Sequence, residues 1–348
     1  MKASFNNIIA NLVVYGIVHA VVDGIALAVV LTLLVAGGYS QTMFVSILLL
    51  YFVLWFASRP LTWAITDYLR MPKEAAILGG VFVLLAVLVL TVSPLGALIF
   101  AGLGNSFFHV GGGSISLNVM PEKAFPPGFF IAPWASGIFL WAAVATTWNF
   151  IARPAILLLV ISLISMLAVK APTINYDTTK VSITSDKIFT ITLLLLLLSI
   201  AIYSFISLII AFPWKSNYAL AVVLIIIVVI GKVSWWVLAD KFWWIQAWVW
   251  WMFLSIFLLS FWASAPSLAI PGMFLINFSV PISTAAIANL LPWRSAFAFG
   301  LSSLALILWA TPAFLGMQSL LNHPAILFVA IWLGTCTFYL WLQYIIKK

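Results

Sequence analysis

A chain of 348 residues with 66% hydrophobic and only 6% charged side chains, at a mean hydropathy of +1.24, has too little polar surface to enclose a water-soluble core. Its net charge of +8 comes from cations scattered at the ends of apolar segments, not from basic runs interleaved with aromatics, which excludes nucleic acid as a partner and leaves the lipid bilayer. Cys336 is the single cysteine, which excludes an intrachain disulfide and dithiol chemistry.

Turn signals divide the chain into apolar segments near the ~20 residues that a helix needs to cross a bilayer. The first six run roughly over Ile8–Ala36, Thr42–Ile65, Ala75–Val92, Leu95–Val119, Gly128–Thr147 and Pro154–Val169. Met1-Lys2 and the run behind it resemble a signal sequence, but the run is long and no small-residue cleavage site follows, so a retained first helix is expected. Gly37-Gly38-Tyr39-Ser40 and Ser93-Pro94 mark two of the turns. From 170 to 187 the character changes: Lys170, Asp177, Lys180, Asp186 and Lys187 stand among serines and threonines, the composition of a solvated linker. Six more segments follow, roughly Ile188–Phe212, Tyr218–Leu238, Phe242–Trp262, Leu268–Leu290, Ala296–Leu315 and Pro324–Ile346.

Basic residues test this division, because they accumulate in cytoplasmic loops. With the N-terminus inside, Lys2, Arg70, Lys73, Lys123, Lys170, Lys180, Lys187, Lys241, Arg294, Lys347 and Lys348 fall on the cytoplasmic side. Arg153 and Lys215 fall outside, and Arg59 and Lys232 lie within spans. So lopsided a distribution predicts a multi-pass protein of the plasma (inner) membrane with both termini cytoplasmic.

The two halves echo each other. Arg59 precedes Asp67 by eight residues, as Lys232 precedes Asp240, and a second cation follows each aspartate, Arg70 or Lys241. Leu117-Asn118-Val119-Met120-Pro121-Glu122-Lys123 is echoed by Ala288-Asn289-Leu290-Leu291-Pro292-Trp293-Arg294, and Asn105 corresponds to Asn277. Internal repeats of this kind build alternating-access carriers.

The doubled motif of a cation, an apolar stretch, and Asp with a basic residue behind it resembles the loop signature of the major facilitator superfamily. The stretch from Gly102 to Gly113, with Asn105, His109 and Gly111-Gly112-Gly113, is similar to the fourth helix of bacterial members. The resemblance covers essentially the whole chain. It implies an all-α polytopic membrane protein: twelve transmembrane helices in two pseudo-symmetric six-helix bundles, 1–169 and 188–348, joined by the 170–187 cytoplasmic linker, rocking around a central cavity. It further implies that Arg59, Asp67, Arg70, Lys232, Asp240 and Lys241 act as gating residues, the aspartates pairing with cations or helix ends when the cytoplasmic side is closed.

Tryptophan is where the chain departs from the family. Trp63, Trp235 and Trp236 stand where members usually carry glycine, and small residues are also expected near Trp134, Trp141 and Trp309. Small residues let membrane helices approach closely, whereas indole favours the interface. Two readings stay open: true interfacial tryptophans, or glycine codons translated as tryptophan.

Ionisable residues inside a membrane are functional candidates by default. His19 and Asp23 lie four apart on one helical face, as do Asn105 and His109. In the family fold the first and fourth helices line one cavity, so the resemblance implies a midplane cluster of His19, Asp23, Asn105 and His109, with Asn277 as the counterpart of Asn105, serving substrate or proton coupling. A carboxylate in a partly dry cavity holds a proton more readily than one in water, and a neighbouring imidazole can exchange it. Two histidines and a carboxylate could also form a metal triad, but nothing in the spacing demands one, and no metal is expected. Arg59 and Lys232, about 12 Å deep at helical rise, either snorkel to the surface or reach a partner. Gly111-Gly112-Gly113 lacks the Lys-Ser or Lys-Thr of a phosphate loop, so no nucleotide or other cofactor is expected. Pro266, Pro271 and Pro281 would break the helical ladder of the tenth segment.

The reading that unites these features is a monomeric secondary transporter, not an enzyme, that moves a small solute by alternating access, proton-coupled, with efflux of an amphipathic compound favoured by the aromatic interior. One alternative is an intramembrane enzyme acting on a lipid, with His19 and Asp23 as a base pair. Another is a carrier-derived scaffold that transports nothing.

Overall fold

The computed structural model describes residues 5–36, 40–147, 152–174, 186–239, 245–277, 279–291, 293–308 and 316–346. Every apolar segment read from the sequence is mainly helical where described, and no strand occurs among the described residues. In the first half α1 spans Phe5–Ala36, α2 Gln41–Phe52, α3 Arg59–Leu69, α4 Pro72–Val89, α5 Pro94–Val119, α6 Phe125–Ile131, α7 Trp134–Thr147 and α8 Ala152–Ala168. In the second half α9 spans Asp186–Ile209, α10 Tyr218–Ala239, α11 Ile245–Phe261, α12 Pro266–Ile276, α13 Ser279–Leu290, α14 Ser295–Leu308, α15 Gln318–Leu321 and α16 Pro324–Ile346. Among the described residues, six stretches are long and apolar enough to cross a membrane: Phe5–Val35, Thr42–Leu69, Pro72–Val89, Pro94–Val119, Lys187–Ser207 and Pro266–Leu290. The protein is a multi-pass membrane protein.

Proline starts several of these helices and breaks others. Pro72, Pro94 and Pro266 sit in the first turn, where the missing N–H costs nothing, and the Ser93 hydroxyl caps α5 by accepting from the Gly96 N–H. Pro60 cannot donate to the carbonyl of Phe56, and the second span answers with a π-helical turn, Val53–Ala57, between α2 and α3. In the fifth span Pro133 ends α6 and α7 resumes at Trp134. In the tenth, Pro271 is accommodated inside α12. The break falls instead at Asn277, the residue whose carbonyl Pro281 leaves without its i+4 donor. Of the three prolines expected to disturb this span, only Pro281 interrupts it.

The chain forms two compact units. One comprises Met1–Pro121, Phe129–Asn175 and Arg294–Gly300; the other comprises Glu122–Gly128, Tyr176–Trp293 and Leu301–Lys348. In the first unit α1 packs against α5, α7 and α8, and α4 against α5 and α8. In the second, α9 packs against α13 and α16, α11 against α12 and α16, and α10 against α12.

The closest helix pairing in the first unit is α4 on α5, and small residues make it possible. A Cβ at Gly104 would lie 2.8 Å from the carbonyl oxygen of Gly79, and one at Gly79 would lie 2.6 Å from that of Gly104. Further along, a Cβ at Gly111 would run into the backbone of Pro72 and Ala76. With no side chain intervening, the two backbones touch, which is how membrane helices gain dispersion contact when lipid offers no hydrophobic drive.

Glycine also explains how two of the unexpected indoles fit. The ring of Trp63 lies where a side chain at Gly300 would be, and forms an edge contact with Phe297 at 4.9 Å between centroids. Trp141 covers Gly24 in the same way. The close approach anticipated at these positions is therefore indole on glycine, the bulky partner on the helix where a small one was expected. Trp309 and the side chains of Trp235 and Trp236 lie outside the described residues.

Candidate functional site

The first unit buries a set of polar side chains that an apolar core would exclude. Asp23 is fully enclosed at 0% exposure, His19 at 1% and His109 at 7%. Helical spacing puts His19 one turn before Asp23 on α1, and α5 brings His109 against both. His19 Nε2 lies 3.0 Å from His109 Nε2, and Asp23 Oδ2 lies 3.3 Å from the former and 3.4 Å from the latter. Three potential ligand atoms thus form a nearly equilateral triangle.

The other ring nitrogens fix the tautomers. His19 Nδ1 lies 2.6 Å from the carbonyl oxygen of Phe130, in the last turn of α6, where carbonyls lack intrahelical donors. His109 Nδ1 lies 2.9 Å from the carbonyl oxygen of Asn105. A carbonyl can only accept, so both imidazoles donate from Nδ1; whenever a ring is neutral its Nε2 is then a bare lone pair, and the 3.0 Å contact between the two Nε2 atoms needs a proton or another cation between them. Beyond these imidazole contacts neither Asp23 oxygen has a hydrogen-bond partner among the described residues. With both rings neutral, three acceptor atoms would face one another in a dry interior, an arrangement that a proton or another cation among them relieves.

Aromatic rings wall the triangle. Phe130 stacks on His19 at 4.3 Å between centroids, His109 meets His19 edge-on at 4.6 Å, and Trp55 lies 5.4 Å from His109. The Asn105 amide donates to the Tyr51 hydroxyl at 3.1 Å. Its backbone carbonyl also meets His109 Nδ1, so Asn105 touches the site through its main chain as well. Tyr51, Trp55 and Phe130 were not singled out from the sequence. A lone tyrosine or tryptophan in an apolar run carries no signal of what it faces.

Arg59 sits at the π-helical break with 1% exposure, its guanidinium 4.2 Å from the Phe56 ring centroid and 5.5 Å from that of Trp55. Its Nε and Nη1 have no hydrogen-bond partner among the described residues, so ring faces replace water around the charge. Of the two alternatives open for Arg59, snorkelling is the one this geometry corrects: the side chain is held inside by stacking.

Asp67 is half-buried near the C-terminal end of α3, and both of its oxygens accept backbone N–H groups, from Ala296 at 3.2 Å and Phe297 at 2.9 Å. These are the first-turn donors of α14, in the Arg294–Gly300 segment that belongs to the first unit. A helix N-terminus with orphan donors and a positive dipole end is what a carboxylate binds best. Beside it the Ser114 and Ser295 hydroxyls meet at 2.7 Å. Arg70 follows in the left-handed conformation as the C-cap of α3, φ 57°, its N–H bonded to the Thr66 carbonyl.

In the second unit Lys232 is buried at 8% exposure on α10, and Asn277, at the α12–α13 break, donates from Nδ2 to the Met273 carbonyl at 2.7 Å. Asp240 and Lys241 lie outside the described residues.

No family model matches the chain, and no curated protein matches it in sequence. Solved structures do. The E. coli fucose:proton symporter superposes with a TM-score of 0.70 at 12% identity, over 97% of this chain and 98% of that one. The human organic anion transporter MFSD10 gives 0.64 at 14% identity, over 97% and 100%. A transporter of the major facilitator superfamily in the outward conformation gives 0.62 at 10% identity, over 95% and 99%. The protein has the major facilitator fold. An all-α multi-pass architecture is thus the fold, as the segmentation and the doubled loop motif implied. Agreement at this level with so little shared sequence shows how weakly the fold constrains side chains, so any function must be argued from the site.

Proposed function

We propose that this protein is a secondary active transporter that moves a small solute across the plasma (inner) membrane by alternating access, with protons as the coupling ion. The observation that carries the reading is the enclosed His19–Asp23–His109 triangle within a major facilitator fold. A carrier must load and release charge at a site shielded from both solutions, and two imidazole nitrogens and a carboxylate oxygen in mutual contact do this by gaining or losing one cation. The similar structures include a fucose:proton symporter and an organic anion transporter, cargoes with no chemistry in common, which supports carriage in general and leaves the solute to the site. The lipid enzyme has less support: carriage makes use of this fold, and an enzyme would need the triangle open to a lipid substrate. We take the bundles as 1–169 and 188–348 around the 170–187 linker, the protein as a monomer with both termini cytoplasmic, and efflux of an amphipathic compound as its direction.

The test is flux in proteoliposomes. Under an imposed pH gradient, uphill movement of at least one solute from a panel of sugars, organic anions and amphipathic cations supports the reading. No flux of any of them, with a modified lipid product appearing instead, transfers it to the enzyme.

Asp67 is read as the cytoplasmic latch, with Arg59, Arg70, Lys232, Asp240 and Lys241 as the other gating residues. A carboxylate on two helix-terminal N–H groups contributes about 1–2 kcal/mol. Asp67→Ala is expected to shift the balance between open states about tenfold, read as altered labelling of single cysteines introduced near Ser295 and Thr66. Unchanged labelling would mean that the contact does not gate.

A further inference from the structure

Beyond the proton reading, the geometry of the buried triangle matches something more demanding. We infer that His19 Nε2, His109 Nε2 and Asp23 Oδ2 form a binding site for a divalent transition-metal cation of the zinc and iron type.

Three observations support it. The first is spacing. A tetrahedral metal with bonds of about 2.0–2.1 Å holds its ligand atoms about 3.3 Å apart. The observed separations are 3.0, 3.3 and 3.4 Å. The second is tautomer. Histidines that bind metals almost always donate their other ring N–H to a carbonyl or carboxylate, which orients the ring and leaves the free nitrogen to coordinate. Both rings do so here, to the carbonyls of Phe130 and Asn105. The third is need. The Asp23 oxygens are fully buried and accept no hydrogen bond beyond the imidazole contacts. A proton can bridge two of the three atoms along one line; a cation at the centre satisfies all three.

Ligand chemistry selects the ion. Two imidazoles and one carboxylate suit zinc, iron, cobalt or nickel, whereas magnesium and calcium take oxygen-only shells. Three protein ligands leave a fourth position open, the arrangement of sites that exchange a ligand, not of closed structural sites. In a carrier, a divalent ion held this way is cargo or coupling ion. That role rests on the proposed function; the site itself does not.

The experiment uses the full chain purified in detergent, stripped with chelator and then titrated with Zn²⁺ and with Co²⁺. One equivalent is expected to bind, and the Co²⁺ form should show the intense visible absorption of a four-coordinate nitrogen and oxygen site. His109→Ala and Asp23→Asn should each weaken binding by about 100-fold or more, above the 10–100-fold that loss of a mere orienting partner causes. His323→Ala, which removes an exposed histidine, should leave binding unchanged. A wild-type protein that binds no equivalent of either metal overturns the site. So does stoichiometric binding that survives in the folded His109→Ala and Asp23→Asn variants. Metal flux into proteoliposomes is scored apart: binding without flux leaves the site standing and removes the cargo role, while solute flux without binding leaves the carrier standing and removes the site.

Discussion

Asp23→Asn is expected to abolish gradient-driven accumulation while the protein remains folded. The asparagine amide has the shape of the carboxylate but brings its own hydrogens, and its nitrogen can donate to the bare Nε2 atoms of His19 and His109. The triangle then needs no cation. Removing one partner of a buried charge pair costs about 3–5 kcal/mol. Here that loss falls on the loaded state alone, so occupancy should drop roughly 100-fold or more, while thermal stability in detergent holds or rises. Uphill accumulation in proteoliposomes under an imposed pH gradient measures the first, and a melting curve the second. Undiminished accumulation in Asp23→Asn would separate the triangle from coupling altogether.

The second large effect is expected in the α4–α5 seam, from two neighbouring glycines that look alike in sequence. A Cβ at Gly79 would meet the backbone of Gly104 and Phe108, which cannot move without separating the helices. One at Gly80 would meet the side-chain ends of Leu163 and Met166, at 3.0 and 3.3 Å, and these can rotate away. Gly79→Ala should therefore cost about 3 kcal/mol, the upper end of overpacking, and Gly80→Ala about 1 kcal/mol or less. Comparing their yields and melting temperatures checks it. Because α5 carries His109 and the Asn105 carbonyl, Gly79→Ala should also lower cation occupancy, and Gly80→Ala should not.

The helices were legible because a bilayer reads composition: runs of about 20 apolar residues bounded by Gly, Pro and charge can hardly be anything else. The paired polar residues on α1 and α5 were legible too, since a four-residue spacing fixes a shared face whatever the tertiary fold. What the sequence could not reveal was where backbone groups are spent. The carbonyls of Phe130 and Asn105 decide the tautomers of both histidines, and no residue type announces a carbonyl. Asn105 was singled out for its side chain, and its main-chain contact with His109 could not be foreseen. A helix end was expected as a partner of Asp67, but which helix was hidden for the same reason, because that pair of amides lies more than two hundred residues away. The stacking of Arg59 was hidden because its neighbours, Trp55 and Phe56, read as ordinary apolar filling. Prolines were half legible: their chemistry forbids one hydrogen bond each, but only packing decides whether the chain absorbs the loss, as at Pro271, or parts, as at Pro281.

The tether between His19 and Phe130 reaches past electrostatics. Phe130 occupies the final turn of α6, just ahead of the proline joint from which α7 departs, so the ring on α1 is fastened to the rim of a bend. Any movement at that joint would have to be matched by His19 Nδ1 or would break its bond to the Phe130 carbonyl. A single bond thus ties the position of α6 to the orientation of an imidazole in the triangle.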